Sequence, residues 1–91
     1  MFNWNDKAKR LLKSELMKRG ISNADLALLL QKNGIFETKS SIDSKISRGS
    51  FSANFLLQCL TVIDCKKIEI EDYEKQFFVI VESKDTLKLT K

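Results

Sequence analysis

Three glycines divide the first fifty residues of this 91-residue chain, which contains no proline, into short segments. Within each segment, apolar residues recur at the three- and four-residue spacing of an amphipathic helix. Glycine reaches the left-handed conformation that ends many helices without steric strain. Gly20, Gly34 and Gly49 therefore predict where three helices end. A chain of this length has room for one domain of ordinary size.

The apolar pattern predicts four helices, with a hydroxyl or amide side chain suited to cap each of the last three. Either Ser22 or Asn23 can cap the second helix, Thr38 the third and Ser52 the fourth. Such side-chain oxygens accept hydrogen bonds from N–H groups that have no partner within the helix. The predicted helices span residues 4–19, 23–33, 39–48 and 53–63.

The third and fourth predicted helices differ sharply in apolar content. Ile42 and Ile46 are the only apolar residues of the third helix, so it is expected to bury a narrow edge and expose the rest. The fourth helix is apolar around nearly its whole circumference, with Leu57 lying away from its main stripe. A helix of that kind is central to a core or is also covered by a partner chain.

From Cys65 onward the pattern changes to alternation, which is typical of strands. We expect three short strands, over about residues 67–71, 76–82 and 86–90. A competing interpretation makes Tyr73, Phe77, Ile80 and Val81 one face of a fifth helix, but β-propensity favours strands. The sequence therefore predicts a mainly α fold: a four-helix domain over residues 1–64 and a short C-terminal β-rich extension over residues 65–91.

Charge is distributed unevenly along the chain. Residues 1–50 hold ten Lys and Arg against five Asp and Glu, whereas residues 51–91 hold six against seven. A basic half is typical of a surface that binds a polyanion, although a lysine-rich solvated surface would give the same count.

Enzymatic and metal chemistry find little support in the sequence. There is no His and no Gly-rich phosphate loop, and Cys59 and Cys65 are too few for a zinc site. No secretory signal precedes the first helix, and no apolar run approaches the roughly 18 residues that span a bilayer. We therefore expect a cytoplasmic protein that is not an enzyme, has no metal or small-molecule cofactor and does not bind membranes.

The third predicted helix carries the functional hypothesis. A short helix that follows another across a turn and has few apolar side chains is typical of a helix-turn-helix recognition helix. Four serines among its ten residues are poor helix formers, so an ordinary surface helix would gain by losing them. Small hydroxyl groups allow close approach to the major groove, and Lys and Arg contact phosphates or guanine.

Two stretches carry a resemblance to a known family. The segment from Gly20 to Ala27 and the run Ile46-Ser47-Arg48-Gly49 resemble parts of the DNA-binding domain of the lambda-repressor/Cro family. Residues 45–52, KISRGSFS, followed by FLLQCL at 55–60, look like a family of short uncharacterised bacterial proteins thought to share this fold. The resemblance covers about 60 residues, from Ala8 to Ile63, and depends on the order and spacing of the pieces.

The resemblance implies a four-helix helix-turn-helix domain that binds operator DNA, often as a dimer. A polar residue at the start of the second helix would grip phosphate, and Asn23 takes that place, where Gln is usual. The stretch from Leu30 to Ile42 is about five residues longer than the tight turn of that family. Together with the third-helix pattern, this gives the expected DNA contacts: Asn23, Lys39, Ser40, Ser41, Ser44, Lys45, Arg48 and Ser52.

The expected partners are double-stranded DNA and a second copy of the chain. Specific helix-turn-helix binding generally needs two recognition helices, and the fourth helix and the extension offer apolar surface for a homodimer. Alternatively, the extension folds back on the fourth helix and buries both surfaces within one chain. A different alternative is a protein-binding module on the same fold, such as an antitoxin, anti-repressor or adaptor, that reads no DNA.

Overall fold

A computed structural model describes residues 3–70, which form four α-helices joined by short connections. All four helices begin at the predicted residues, and each ends at the predicted residue or one before it. None of these helices is long and apolar enough to cross a membrane. The helices are α1 (Trp4–Lys18), α2 (Asn23–Lys32), α3 (Lys39–Arg48) and α4 (Ala53–Val62).

Each helix begins at a side chain that accepts a hydrogen bond from a backbone N–H three residues further on: Asn3, Ser22, Thr38 and Ser52. At α2 the cap is Ser22 rather than Asn23. Its Oγ accepts from the N–H of Asp25 at 3.0 Å, and the Asp25 carboxylate accepts from the N–H of Ser22 at 3.1 Å. This capping box leaves the Asn23 side chain available for contacts outside its own helix.

The core lies where the four helices meet, with α1 and α2 each packed against both α3 and α4. From α3 only Ile42 and Ile46 are buried, which confirms the narrow apolar edge predicted for that helix. The side chains that are fully buried are branched aliphatic ones and one thiol: Leu12, Leu26, Leu30, Ile42 and Cys59.

The end of α3 lies directly against the start of α1. Gly49, the residue after α3, is buried and has a φ of 71°. A Cβ atom at Gly49 would collide with the carbonyl oxygen of Asn5 and would lie 3.3 Å from the Cβ of Lys9. Gly34 has the same left-handed backbone but open space around it. Gly49 therefore both ends α3 and allows α1 to approach it.

A buried carboxylate, Glu15, joins the end of α1 to the chain after α4, and the apolar pattern gave no indication of it. Its oxygens accept from Arg19 Nη1 at 2.7 Å and Lys18 Nζ at 3.2 Å. The Cys65 thiol also donates to Glu15, with a sulfur–oxygen distance of 3.6 Å. The Arg19 guanidinium, more than any other group, holds the pKa of Glu15 below its ordinary value, although burial opposes this.

Beyond α4 the structure corrects one prediction. Residues 67–70 are not in a strand, although a strand was predicted over 67–71. Within residues 3–70 no neighbouring strand supplies the backbone hydrogen bonds that a strand needs, and the strands predicted beside this one fall later in the chain. Ile68 instead packs partly against the helical core. The other two predicted strands, over 76–82 and 86–90, and the alternative fifth helix lie outside the described residues.

Candidate nucleic-acid interface

The outer face of α3 consists of the side chains opposite Ile42 and Ile46. Because the two isoleucines are four residues apart, they anchor one edge of the helix, and the residues on the opposite side of the helix project into solvent. Within residues 3–70, Arg48 makes no ion pair. The outer face is therefore a polar surface with one available cation, and all its members are exposed: Ser40, Ser44, Ser47 and Arg48.

Two of the expected phosphate ligands, Asn23 and Lys39, converge on one carboxylate at the margin of this face. Asn23 Nδ2 donates to Asp43 Oδ1 at 2.7 Å, and Lys39 Nζ donates to Asp43 Oδ2 at 2.7 Å. The lysine, and after it the amide, holds the pKa of Asp43 below its ordinary value. We call these three side chains the Asp43 cluster. It joins the start of α2 to the first turns of α3.

Lys45 lies on the other side of α3 and is engaged with the protein itself. Its Nζ is 2.6 Å from Glu37 Oε2 and 4.8 Å from the centre of the Phe55 ring. Only 13% of the Glu37 side chain is exposed. Burial, together with the nearby charge of Glu37, raises the pKa of the Cys59 thiol to about 12. Through its contacts with Glu37 and Phe55, Lys45 links the α2–α3 connection to α3 and α4. The sequence did not reveal this structural role.

The remaining two expected contacts, Ser41 and Ser52, lie at helix starts. The Ser41 N–H donates to the Thr38 hydroxyl oxygen at 3.0 Å, and the Ser41 side chain is half-buried. The Ser52 oxygen accepts from the N–H of Phe55 at 3.0 Å, although the residue itself is exposed. The Ser52 side chain therefore caps α4 before it can contact a ligand, and the half-buried Ser41 offers little surface to one.

A shallow groove beside the Asp43 cluster adds residues that the sequence analysis missed. Two of its members, Lys9 and Lys13, are one turn apart on α1 and so project from the same side of that helix. Their spacing was visible in the sequence, but only the packing of α1 against α3 shows which surface they join. The groove is lined by Lys9, Lys13, Asn23, Asp43, Ile46 and Ser47.

Comparison with known families places these features in one domain. Residues 4–68 match a domain of unknown function, DUF6471. The chain belongs to this family. The matched stretch includes all four helices, so the outer face of α3, the Asp43 cluster and the groove all lie inside the DUF6471 domain. Comparison with curated proteins and with solved structures found no match.

The connection between α2 and α3 of this DUF6471 domain is six residues long, over 33–38. Its second residue, Gly34, is in the left-handed conformation, and the next, Ile35, packs partly against the core. Phe36 is 88% exposed, and the next residue, Glu37, turns inward to Lys45. The connection is therefore attached to the rest of the domain on both sides of an exposed aromatic ring.

Proposed function

We propose that this protein binds double-stranded DNA sequence-specifically as a small transcriptional regulator, with α2 and α3 forming a lambda-repressor-type helix-turn-helix. The observation that carries the proposal is the outer face of α3, where three serines and Arg48 are exposed together while the opposite edge is anchored in the core. A recognition helix needs this division, since it enters the major groove while the domain holds its orientation.

The chemistry of the outer face fits base and backbone contacts. Serine hydroxyls both donate and accept, so they can contact bases or phosphate oxygens without holding the helix away from the groove. Arg48, whose guanidinium makes no ion pair within residues 3–70, would contact guanine or phosphate. On the α1 side, Lys13 adds a second cation that has no ion pair within residues 3–70.

The proposal is tested by fluorescence anisotropy with a labelled random-sequence duplex over a series of salt concentrations, followed by selection of preferred sites from a random pool. Removal of one cation that binds phosphate should lower the slope of log affinity against log salt by about 0.9. Arg48→Ala should show that decrease if Arg48 contacts phosphate. If it reads guanine, binding to the selected site should weaken by about 1–3 kcal/mol and specificity at one position should relax.

Lys32→Ala is the matched control, because Lys32 is exposed and ends α2 at the opposite end from Asn23. We expect its affinity and salt slope to stay close to those of the wild type. Ser44→Glu places a carboxylate on the outer face and should weaken binding through repulsion of phosphate. Wild-type affinity in both Arg48→Ala and Ser44→Glu would remove α3 from the interface, and no binding at low salt would reject the proposal.

We further propose that the protein acts as a homodimer assembled through α4 and the residues that follow it. Two recognition helices about one DNA turn, roughly 34 Å, apart are the usual requirement for specific binding by this motif. Leu57 of α4 is 61% exposed, which supports an apolar contact outside the domain. Light scattering on the full chain should give twice the monomer mass, and Leu57→Lys should give the monomer mass itself. A monomeric wild-type chain would contradict this.

A second candidate is a protein-binding module, which the exposed apolar side chains favour. Leu28, Phe36 and Leu57 are each at least 60% exposed, on α2, the α2–α3 connection and α4 respectively. Aromatic side chains such as that of Phe36 are enriched where proteins contact one another. The salt dependence of binding to random DNA distinguishes the two candidates. A protein that binds in the DNA groove loses affinity steeply as the salt concentration rises, whereas an adaptor does not bind random DNA at any salt concentration.

A further inference from the structure

We infer that Asp43 occupies the place of a DNA phosphate between Lys39 and Asn23 in the DNA-free protein, and thereby lowers the affinity for DNA of any sequence. The inference rests on the proposed function, since it concerns the phosphate contacts of the same face. It assigns Asp43 a role as an internal competitor, and it identifies Asn23 and Lys39 together as one phosphate-binding unit.

The hydrogen bonds of the Asp43 cluster are the first support. Its two donors, Asn23 at the start of α2 and Lys39 at the start of α3, are both expected DNA contacts. Both bond at 2.7 Å to separate oxygens of a single carboxylate. Carboxylate and phosphate oxygens accept the same charge-assisted hydrogen bonds, so a DNA phosphate would use donors that Asp43 now holds.

Exposure is the second support. The Lys39 side chain is 61% exposed and the Asp43 side chain 43% exposed. Exposed ion pairs contribute little to stability, because water and salt compete with them. A phosphate arriving from solvent can therefore displace the carboxylate from Lys39 without any rearrangement of the core. The Lys45–Glu37 pair, with its nearly buried carboxylate, has no such access.

The position of Lys39 within α3 is the third support. It is the first residue of the helix, where the partial positive charge of the helix N-terminus disfavours a cation, and the first turn holds no acidic residue. A lysine four residues before an acidic residue is also the weaker orientation for such a pair. Interactions within the helix therefore do not favour a lysine at position 39, whereas an anion bound at the start of α3 would favour one.

The surroundings of the cluster favour an anionic ligand. Lys9 and Lys13 line the groove that contains Asn23 and Asp43, and Asp43 is the one carboxylate in that lining. Once the Asp43 carboxylate has moved away from its two donors, a phosphate would contact cations of α1 and α3 and the side-chain amide of α2. With the carboxylate in place, the same phosphate meets a fixed negative charge, which lowers its affinity.

The test compares Asp43→Asn with Asp64→Asn in the full chain, using a random-sequence duplex and a series of salt concentrations. Asp64 is a matched control: its carboxylate also pairs with a lysine, Lys66, at 3.3 Å, and its left-handed backbone tolerates Asn. Because Asp64 follows α4, light scattering must first give Asp64→Asn the same mass as the wild type. Both variants raise the net charge by one. One additional phosphate contact predicts a salt slope steeper by about 0.9 for Asp43→Asn, and an affinity higher by about eightfold at about 0.1 M salt and about threefold at about 0.3 M salt. Asp43→Ala, which leaves no acceptor at all, should give at least the same gain.

A Lys39→Gln background separates a released contact from a general charge effect. If Asp43 competes for Lys39, the gain from Asp43→Asn should fall below about twofold in that background. A gain no larger than that of Asp64→Asn, or one that persists fully without Lys39, would overturn the inference while leaving DNA binding intact. Failure of the wild type and both Asp43 variants to bind any duplex would instead reject the proposed function and, with it, the inference.

Discussion

Along its inner edge, α3 is attached to the rest of the domain by buried and partly buried contacts, whereas within residues 3–70 its outer face is exposed to solvent. The inner edge holds Ile42 and Ile46 in the core, Gly49 against α1, and Lys45 on the nearly buried Glu37. The outer face holds serines and Arg48, with the exposed Asp43 cluster at its margin. The contrast teaches that the two lysines of α3 are not equivalent: Lys45 pairs with a nearly buried carboxylate, whereas Lys39 pairs with a solvent-exposed one.

The largest expected effect is a difference in stability loss between a core residue of α3, Ile42, and a residue of its outer face, Ser44. Ile42→Ala removes a fully buried side chain and should lower the free energy of unfolding by about 2–5 kcal/mol. Ser44→Ala, two positions later, should change it by less than about 0.5 kcal/mol, since Ser44 is exposed and Ala forms helix better. Urea unfolding of both variants measures the difference. Equal destabilisation would mean that α3 does not have the two sides described.

The next effect concerns the contact between α3 and α1. Gly49→Ala and Gly34→Ala both place a side chain in the left-handed conformation, which disfavours each by about 1–2 kcal/mol. Only at Gly49 would the new Cβ meet the Asn5 carbonyl, and overpacking of this kind adds about 1–3 kcal/mol. Urea midpoints should therefore fall further for Gly49→Ala. A match between the two variants would show that α1 does not approach Gly49 closely.

A smaller effect distinguishes the two ion pairs of α3. Glu37→Gln should lower the free energy of unfolding by about 1–2 kcal/mol, because it weakens a charge-assisted bond beneath the protein surface. Asp43→Asn should change stability less, since its pair with Lys39 is open to solvent. Thermal unfolding at neutral pH measures both. If Asp43→Asn were the more damaging substitution, the Asp43 cluster would be a structural element instead of an exchangeable one.

The smallest effect is a change in one pKa. Lys39→Gln removes the main cause of the lowered pKa of Asp43, so that pKa should rise toward its ordinary value of 3.8. Because the folded pKa is lowered, the pair stabilises the protein fully above 3.8 and loses that contribution as the pH falls through the folded pKa. In Lys39→Gln this contribution should be smaller, and its loss should be complete at a higher pH. A carboxyl NMR titration measures the shift, and an unchanged Asp43 pKa would show that Lys39 does not hold the carboxylate in solution.

Much of the local structure followed from short-range rules. Ser22 and Asp25 begin α2, and Gly49 ends α3, through contacts with residues at most four positions away. The four-residue spacing of Ile42 and Ile46 was enough to identify which side of α3 is buried. The helix boundaries and the serines on the outer face were therefore predictable, because helix caps and periodicity are properties of neighbouring residues.

The sequence by itself determined four helices and the direction in which α3 presents its serines. Only the tertiary structure decided which charged side chains of that region are available, because that depends on residues distant along the chain. Asn23 and Asp43 are twenty positions apart, and Lys45 finds Glu37 only because the α2–α3 connection turns inward. Periodicity assigns a residue to a face of its own helix but says nothing about what the next helix places against it. In sequence, Lys39 and Lys45 look alike. The packing of α2, α4 and the connection around α3 leaves Lys39 exposed to solvent and holds Lys45 in an ion pair with the nearly buried Glu37.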